Sequence, residues 1–410
     1  MYRWIVWVLF FVGIKVQSRT ISVGNQNTIQ TINEGISLAQ PGDTVFVFQG
    51  IYKEGNIAIT KSITLIGIDY PVLDGQNKVE NITISGHHIK ITGFRIIDSR
   101  HSSSNDYAAV NIIDASDITI ENNIIENAHF GIHISNSTYC NIGCNTIKGK
   151  AVSEQTSGNG IHLWKSNNAT INDNFITGHR DGIYLEFVTK SIIVNNISEY
   201  NIRYGLHFMF SHEDQYVYNK FNNNGTGVAV MYSHKVTMKK NIFENNKGAS
   251  SYGILLKDIS DGSMLNNLFS ENTIGIYMEG TSRMEIKKNS FENNGWAMKV
   301  QANCAENNIN FNNFQGNTFD IGTNGTMVLS NFNHNFWDKY EGYDLKKNGI
   351  GDIPYHPVSL YSMIIDQNPT ALLYLRSFIV QILDKAEKAI PSLTPENLID
   401  ASPYMNPVKL

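Results

Sequence analysis

Apolar and polar positions alternate along most of this chain in short runs that restart every twenty-odd residues. In each restart an asparagine stands two residues before an apolar or aromatic anchor. The pairs are Asn123 with Ile125, Asn145 with Ile147, Asn174 with Ile176, Asn195 with Ile197 and Asn219 with Phe221, then Asn241 with Phe243, Asn267 with Phe269, Asn289 with Phe291, Asn312 with Phe314 and Asn335 with Trp337. The steps are 22, 29, 21, 24, 22, 26, 22, 23 and 23 residues. Three residues before each asparagine lies a further apolar side chain, from Ile120 and Ile142 through Ile192 and Tyr216 to Phe332. In phase with these, glycine opens alternating strands such as Gly131-Ile-His-Ile, Gly160-Ile-His-Leu, Gly205-Leu-His-Phe and Gly295-Trp-Ala-Met. Period-two alternation marks a strand with one buried face. A repeat of this length fits leucine-rich repeats or a β-helix, and no L-x-x-L-x-L frame with a helical half is present. The pattern therefore predicts an all-β chain, a right-handed parallel β-helix solenoid of roughly a dozen coils, about 55 to 60 Å long.

In such a solenoid equivalent positions of successive coils stack at about 4.8 Å and form columns. Asparagine is expected at one bend because it tolerates the left-handed conformation and because stacked amides hydrogen-bond along the ladder; glycine serves the next corner. Residues one and three after glycine should point inward, and those two and four after it outward. Insertions leave through corners, KAVSEQTSGN at 150–159 and KGASSY at 247–252, both candidate partner-contact loops. Toward the N-terminus, TIQTINEGISLAQPGD reads as a short amphipathic helix and a turn, placed to cap the open first coil. After Trp337 the ladder stops, and a loop-rich segment at 338–368 should close the other end. Asn368 and Pro369 then open a helix over about 369 to 390, with Leu372, Leu375, Ile379, Ile382 and Leu383 on its apolar side. The expected organisation is residues 1–18 as an export signal, 19–337 as the solenoid, 338–368 as a cap and 369–410 as helix and tail.

Composition changes this picture little. Lys+Arg 32 against Asp+Glu 37 leaves a net charge of −5, which offers no basic field for nucleic acid. Arg3, the apolar run from Trp4 to Ile14 and the small residues after it read as a secretory signal, too short to cross a bilayer core of about 30 Å. Cys140, Cys144 and Cys304 cannot all pair, so disulfides do not hold the fold; the C-x3-C spacing of the first two suits a metal or redox pair, and base rates for free cysteine favour a buried thiol and a thiol at a turn.

Candidate chemistry lies in RYGLHFMFSHED, residues 203–214. If Gly205 and Gly227 open adjacent coils, Met209 and Met231 stack outward about 5 Å apart. His207 lies two residues before Met209 on the same face, and His212 and His234 stack beyond the next bend. Thioether and imidazole donors converging without carboxylates suit copper(I). The same methionines also suit a docking surface that holds no metal.

That segment, the run FWDKYEGYDLKKNGIGDIPY and the stretch RSFIVQILDKAEKAIPSLTPENLIDASPYM closely resemble the NosD family, periplasmic β-helix proteins required to mature nitrous-oxide reductase. The likeness covers nearly the whole chain after the export signal. It implies a periplasmic accessory protein acting with an ABC transporter, made of an ATPase and a membrane permease, to supply copper or sulfur for the reductase's copper centres. It also implies receipt from a lipoprotein copper chaperone and contact with apo nitrous-oxide reductase. Membrane attachment would come only through the permease, onto which the apolar stripe of the C-terminal helix would dock. Similar proteins carry an aspartate-rich run that looks like a calcium loop. Here it is Asp344, Lys346, Asn348, Gly349, Gly351 and Asp352; the lysine removes a ligand and adds repulsion, so a closed turn is expected in place of calcium.

The rival reading is a secreted β-helix polysaccharide lyase or hydrolase, or a carbohydrate-binding solenoid. The outward column four after glycine reads Ser135, Trp164, Glu186, Met209, Met231, Lys257, Glu279 and Lys299. Glu186 and Glu279 would stand four coils apart, about 19 Å, whereas hydrolase carboxylates sit about 5 to 10 Å apart. The expectation is therefore a protein that is not an enzyme.

Overall fold

A strand with alternate apolar residues buries one face, and stacking such strands coil on coil leaves free edges only at the two ends. The computed structural model describes residues 18–102, 105–325, 329–375, 377–389 and 398–410. It forms three parallel sheets of 14, 13 and 12 strands; each complete coil visits all three in turn, and the incomplete first and last coils account for the unequal numbers. The first sheet runs from Thr20–Val23 to Leu329–Asn333, the second from Ile51–Tyr52 to Phe336–Trp337 and the third from Ile57–Ile59 to Phe319–Gly322. The extra coils relative to the expected dozen lie before Asn123, where Val45, Leu65, Ile89 and Ile91 fill the core without the asparagine that marks later coils. The core is a set of unbroken columns. One is Ile183, Leu206, Val228, Ile254 and Ile276, and another is the ring stack Phe243, Phe269, Phe291, Phe314 and Trp337, with centroids 4.0 to 4.9 Å apart.

The asparagine ladder is real, with one member corrected. It comprises Asn123, Asn145, Asn174, Asn196, Asn219, Asn241, Asn267, Asn289, Asn312 and Asn335. From Asn145 onward each Oδ1 accepts both the backbone N–H and the amide N–H of the asparagine one coil earlier, at 2.9 to 3.2 Å. Asn196 takes the place expected for Asn195: Ile193 and Ser198 face inward, while Ile192 and Ile197 are exposed. The segment VNNIS offers an asparagine in either register, and the choice goes to the one that keeps Ile193 beside Ile171 and the amide chain unbroken.

The bend itself works differently from the expectation. The residue before each ladder asparagine takes the left-handed conformation, among them Cys144, Tyr218, Lys240 and Phe311, with φ between 55° and 59° for Cys144 and Phe311 and 54° to 61° for Lys240 and Tyr218. For such residues the conformation costs about 1 to 2 kcal/mol, which the buried ladder bonds offset. The strand-opening glycines answer a packing need. A Cβ at Gly205 would lie 2.6 Å from the Gly227 carbonyl oxygen and 2.7 Å from the Asn224 amide nitrogen. Gly295 falls outside this series, since Met298 pairs with Ile276 and Lys299 with Tyr277, so Lys299 leaves the Glu279 column. A second ladder, not anticipated, joins Asn201, Asn224, Asn246, Asn272, Asn294 and Asn317 at another corner.

Both ends are closed by side chains aimed at orphan backbone groups. Helix α1 (Ile32–Leu38) lays Ile32 and Ile36 onto the first coil. Glu54 accepts the Ile32 and Asn33 N–H groups at its N-terminus, and Lys61 Nζ donates to the Ile36, Ser37 and Ala39 carbonyls at its C-terminus. At the far end Asp400, fully buried, finishes the first ladder: its carboxylate accepts from the backbone N–H groups of His334 and Asn335, the Asn335 amide and Trp337 Nε1. The one helix expected over 369–390 is instead α2 (Leu360–Gln367), a 3₁₀ turn (Pro369–Tyr374) and α3 (Phe378–Ala389). Ser359 caps α2, whose Tyr361 and Ile365 pack with Val380 on Trp296 and Phe319, and Pro369 prevents α2 from continuing. The expected export signal lies, except for Ser18, outside the described residues. No helix among the described residues is long and apolar enough to cross a membrane.

The register carries a direct test. Asn196→Ala removes a buried link that accepts two hydrogen bonds and should cost about 2 to 4 kcal/mol in urea unfolding. Asn195→Gly, at φ 56°, should be neutral or mildly stabilising. Equal losses in both variants would mean that the ladder runs through the other residue.

Candidate functional site

The strand Tyr204–Met209 carries two outward side chains, and the neighbouring coils decide what each meets. Met209 pairs in register with Met231; Glu186 precedes them in the column and Lys257 follows. The two partly exposed thioethers are therefore neighbours at the strand spacing of about 4.8 Å. Beyond the bend the His212 and His234 rings meet edge to face with centroids 3.9 Å apart. His212 Nδ1 accepts the His234 backbone N–H at 3.3 Å, which places the neutral ring's proton on Nε2. His234 Nδ1 is buried and has no hydrogen-bond partner. Burial, and then the nearby His234, lower the pKa of His212, so its ring is a neutral donor. Between the two pairs lie Phe210 and Tyr232, which continue a surface stack from Phe187 with centroids 5.2 and 5.1 Å apart.

His207 belongs to a different set. It points to the outer face yet is only 3% exposed, because Tyr184 stacks on it at 4.5 Å and Tyr204 covers it at 4.8 Å. Its Nδ1 lies 3.5 Å from the buried Asp181 carboxylate. Burial works to raise the pKa of Asp181, and the adjacent His207 together with Arg180 and Arg203 outweighs it, leaving the group lowered. The column through His207 reads Asn111, His133, His162 and Tyr184 on earlier coils and turns apolar at Ala229 and Leu255 on the next two. Thus the structure brings Met209 next to Met231 and His212 next to His234, and gives His207 its own aromatic and acidic partners. Among the described residues no three His, Cys, Asp or Glu side chains are grouped to hold a metal ion, so metal binding at the methionines would depend on the thioethers.

The other candidates are placed as follows. Leu372, Leu375, Ile379 and Ile382 are exposed, while Leu383 packs against the small cluster around Trp296 and Phe319. In the loop resembling a calcium site, Asp344 accepts the Asn348 and Gly349 N–H groups, and Asp352 accepts from Leu345 and pairs with Lys346 at 3.0 Å. Its carboxylates already serve the turn. Cys140 and Cys304 are buried free thiols and Cys144 is exposed at a left-handed turn position; burial pushes Cys140 up to about 12. Lys257 and Glu279 form a partly exposed ion pair at 3.7 Å.

A family model described as periplasmic copper-binding protein (NosD) matches residues 144–347, which span the methionine and histidine pairs. A probable ABC transporter binding protein NosD from Stutzerimonas stutzeri is 26% identical over 375 residues, covering 86% of this chain and 84% of that protein. Both comparisons support assignment of the chain to the NosD family. Solved structures similar to this chain include the catalytic unit of a GH87 α-1,3-glucanase from Streptomyces thermodiastaticus, with TM-score 0.59, 14% identity and coverage of 78% and 69% of the two chains. XylC in complex with xylose gives TM-score 0.57 at 13% identity over 82% and 91%, and a family 28 exopolygalacturonase of Yersinia enterocolitica gives 0.53 at 12% over 77% and 78%. At these identities the likeness is one of fold.

Two features of the outer face escaped the sequence reading: the Phe187, Phe210 and Tyr232 stack, and the burial of the histidine column. The aromatic residue five after each of the three successive glycines Gly182, Gly205 and Gly227 could have shown the first. The second depends on flanking rings from other coils. The buried rings predict acid sensitivity. Burial drives His162 and His179 down to about 3, with His133 adding to the effect at His162 and His129 at His179. Each ring favours the folded state while neutral, so its contribution is lost as pH falls below the unfolded value of about 6.5. Melting temperature should drop between about pH 7 and about pH 5, by about 2 kcal/mol of stability per ring. His162→Tyr, which extends the Tyr184 stack, should flatten that slope; a native protein equally stable across the window would contradict the assignment.

Proposed function

We propose that this chain is an exported copper(I)-handling accessory protein of the periplasm that works with an ABC transporter in assembling the copper centres of nitrous-oxide reductase. The family description and the name of the Stutzerimonas relative support the setting. The observation that carries the reading is the stacking of Met209 on Met231 with the His212 and His234 pair beyond the bend. Thioethers and neutral imidazoles are the donors a soft monovalent cation takes, which favours copper over sulfur as the cargo. The patch is partly exposed, so a lipoprotein chaperone could deliver the ion and apo nitrous-oxide reductase could receive it by ligand exchange. In this reading Met209 and Met231 hold the cargo with His234 or His212 as the third donor, and His207 supports the strand from its buried position. A polysaccharide-cleaving role finds no support at the outward carboxylates, since Glu186 and Glu279 are four coils apart with Met209, Met231 and Lys257 between them.

Met209→Leu with Met231→Leu keeps shape and apolarity and removes sulfur. Copper(I) affinity, read by competition with a chelator, should fall by about tenfold or more, and reductase maturation in cells should fail. Normal maturation in the double variant would exclude copper handling at this patch.

The exposed side chains Leu372, Leu375, Ile379 and Ile382, together with Leu373 and Phe378, form the surface proposed to dock on the permease. Deleting residues 369–410 is a poor test, because Asp400 completes the asparagine ladder. Ile379→Asp with Ile382→Asp should abolish copurification with the transporter while leaving melting unchanged. Retained copurification would remove these side chains from the interface.

A further inference from the structure

The second asparagine ladder does not run the length of the solenoid. It begins where the Asn201 Oδ1 accepts the His179 backbone N–H at 3.0 Å, so His179 occupies the ladder column one coil earlier. Above it the corner is unsealed. The coil over His179 contains the 150–158 insertion, and its corner residues on either side are glycines. A Cβ at Gly149 would lie 2.8 Å from His179 Nδ1 and Cε1, and one at Gly158 would lie 3.3 Å from His129 Cδ2. At this corner lies a cavity of about 170 Å³, lined by His101, His129, His179, Lys150, Thr156 and Ser157 among others, with no carboxylate among the described lining residues. His101 and His129 meet edge to face at 5.6 Å. His129 and His179 are buried, and His129 Nδ1 and His179 Nε2 have no hydrogen-bond partner.

From the cavity, its cationic and hydroxyl lining and these unpartnered buried imidazoles, we infer that this corner is a binding site for a small polyatomic oxyanion of the sulfate or phosphate class. Three imidazoles, an ammonium and two hydroxyls supply donors on several sides, and buried oxyanions are held by charge-assisted bonds of this kind. The void is larger than a bare metal ion requires, and no ligand set for one is grouped there. The electrostatic surroundings agree. His129 is lowered by burial and then by His101, with Arg180 acting the same way and Asp106 opposing; His179 is lowered by burial and then by His129 and His101. An anion among these groups would favour their protonated forms. Binding should then take up protons and strengthen as pH falls, the opposite of metal binding, which competes with protons. The site is separate from Met209 and Met231, and its fate does not depend on the copper reading.

Calorimetric titration of the full mature chain with sodium sulfate, a probe whose own charge is constant in this range, tests the inference at about pH 6 and about pH 8. Saturable binding should be tighter at the lower pH. Lys150→Gln, on the exposed insertion, should weaken it about tenfold without altering melting, and His129→Gln should reduce its pH dependence. Absence of saturable binding, equal affinity in Lys150→Gln, or binding that tightens with rising pH would each overturn the oxyanion assignment; the last, with displacement of sulfate by copper(I), would mark the corner as a metal site instead.

Discussion

A solenoid coil must turn three times, and each turn takes backbone N–H and carbonyl groups out of a sheet and into the interior, where leaving them unpaired costs about 1 to 3 kcal/mol apiece. The asparagine ladder is how this chain meets that constraint at its tightest corner. One amide oxygen accepts two N–H groups from the coil before, and the amide nitrogen donates to a carbonyl of that coil, as Asn145 does to Ile120 and Asn219 to Ile193. Satisfaction at one coil therefore requires the next coil in register. The ladder starts on the Phe94 N–H and ends on the Asp400 carboxylate, so the chain of bonds is capped at both ends by groups that need no further partner. With corners fixed in this way the residue just before each asparagine is relieved of sequence constraint, and tyrosine, lysine, cysteine and phenylalanine all accept a left-handed φ there.

Much of this was legible because stacking converts a spatial column into a sequence period. Ile120, Ile142, Ile171, Tyr216 and Met238 could be named as core from spacing alone, as could the outward pairing of Met209 with Met231. Legibility failed where two adjacent residues carry the same information. In VNNIS either asparagine satisfies the pattern, and only the burial of Ile193 against Ile171 decides between them. It also failed where a rung is marked by no special residue, as in the coils before Asn123. The C-terminal helix was misjudged for a related reason. A continuous apolar stripe was visible, but the packing of Tyr361 and Ile365 on Trp296 and Phe319, which draws a separate helix ahead of Pro369, depends on residues about 40 to 70 positions away.

The outer face obeys the same columns but with different consequences. On the third sheet each coil contributes two outward positions to the strand, so chemistry changes in steps of one coil. The column carrying Met209 passes from tryptophan through glutamate to two methionines and on to lysine, and the column beside it passes from histidine through tyrosine to alanine. A soft-donor patch on such a surface is confined to two coils by what lies above and below. His207 illustrates the limit of reading one strand alone: sharing a face with Met209 did not make it part of the same site, because Tyr184 and Tyr204 from neighbouring positions had already enclosed it beside Asp181.

A second kind of site arises where the repeat is interrupted, because an insertion can open a cavity that closely stacked coils do not. The longest interruption, at 150–158, coincides with the point where the second ladder gives way to His179 and with the cavity beneath it. Glycine at 149 and 158 is what the close backbone packing there requires, since a Cβ would lie 2.5 Å from the Gly178 carbonyl oxygen and 2.2 Å from the His129 carbonyl oxygen. At the other extreme, the segment after Trp337 interrupts the repeat only to end it: the Asp400 carboxylate accepts four hydrogen bonds from the last coil and one from Ser402 of its own segment, which ties the tail and the exposed helices before it to the rigid stack. A partner that grips those helices would thus hold the solenoid at a defined end, with the methionine pair several coils away along the same outer face as a separate point of contact.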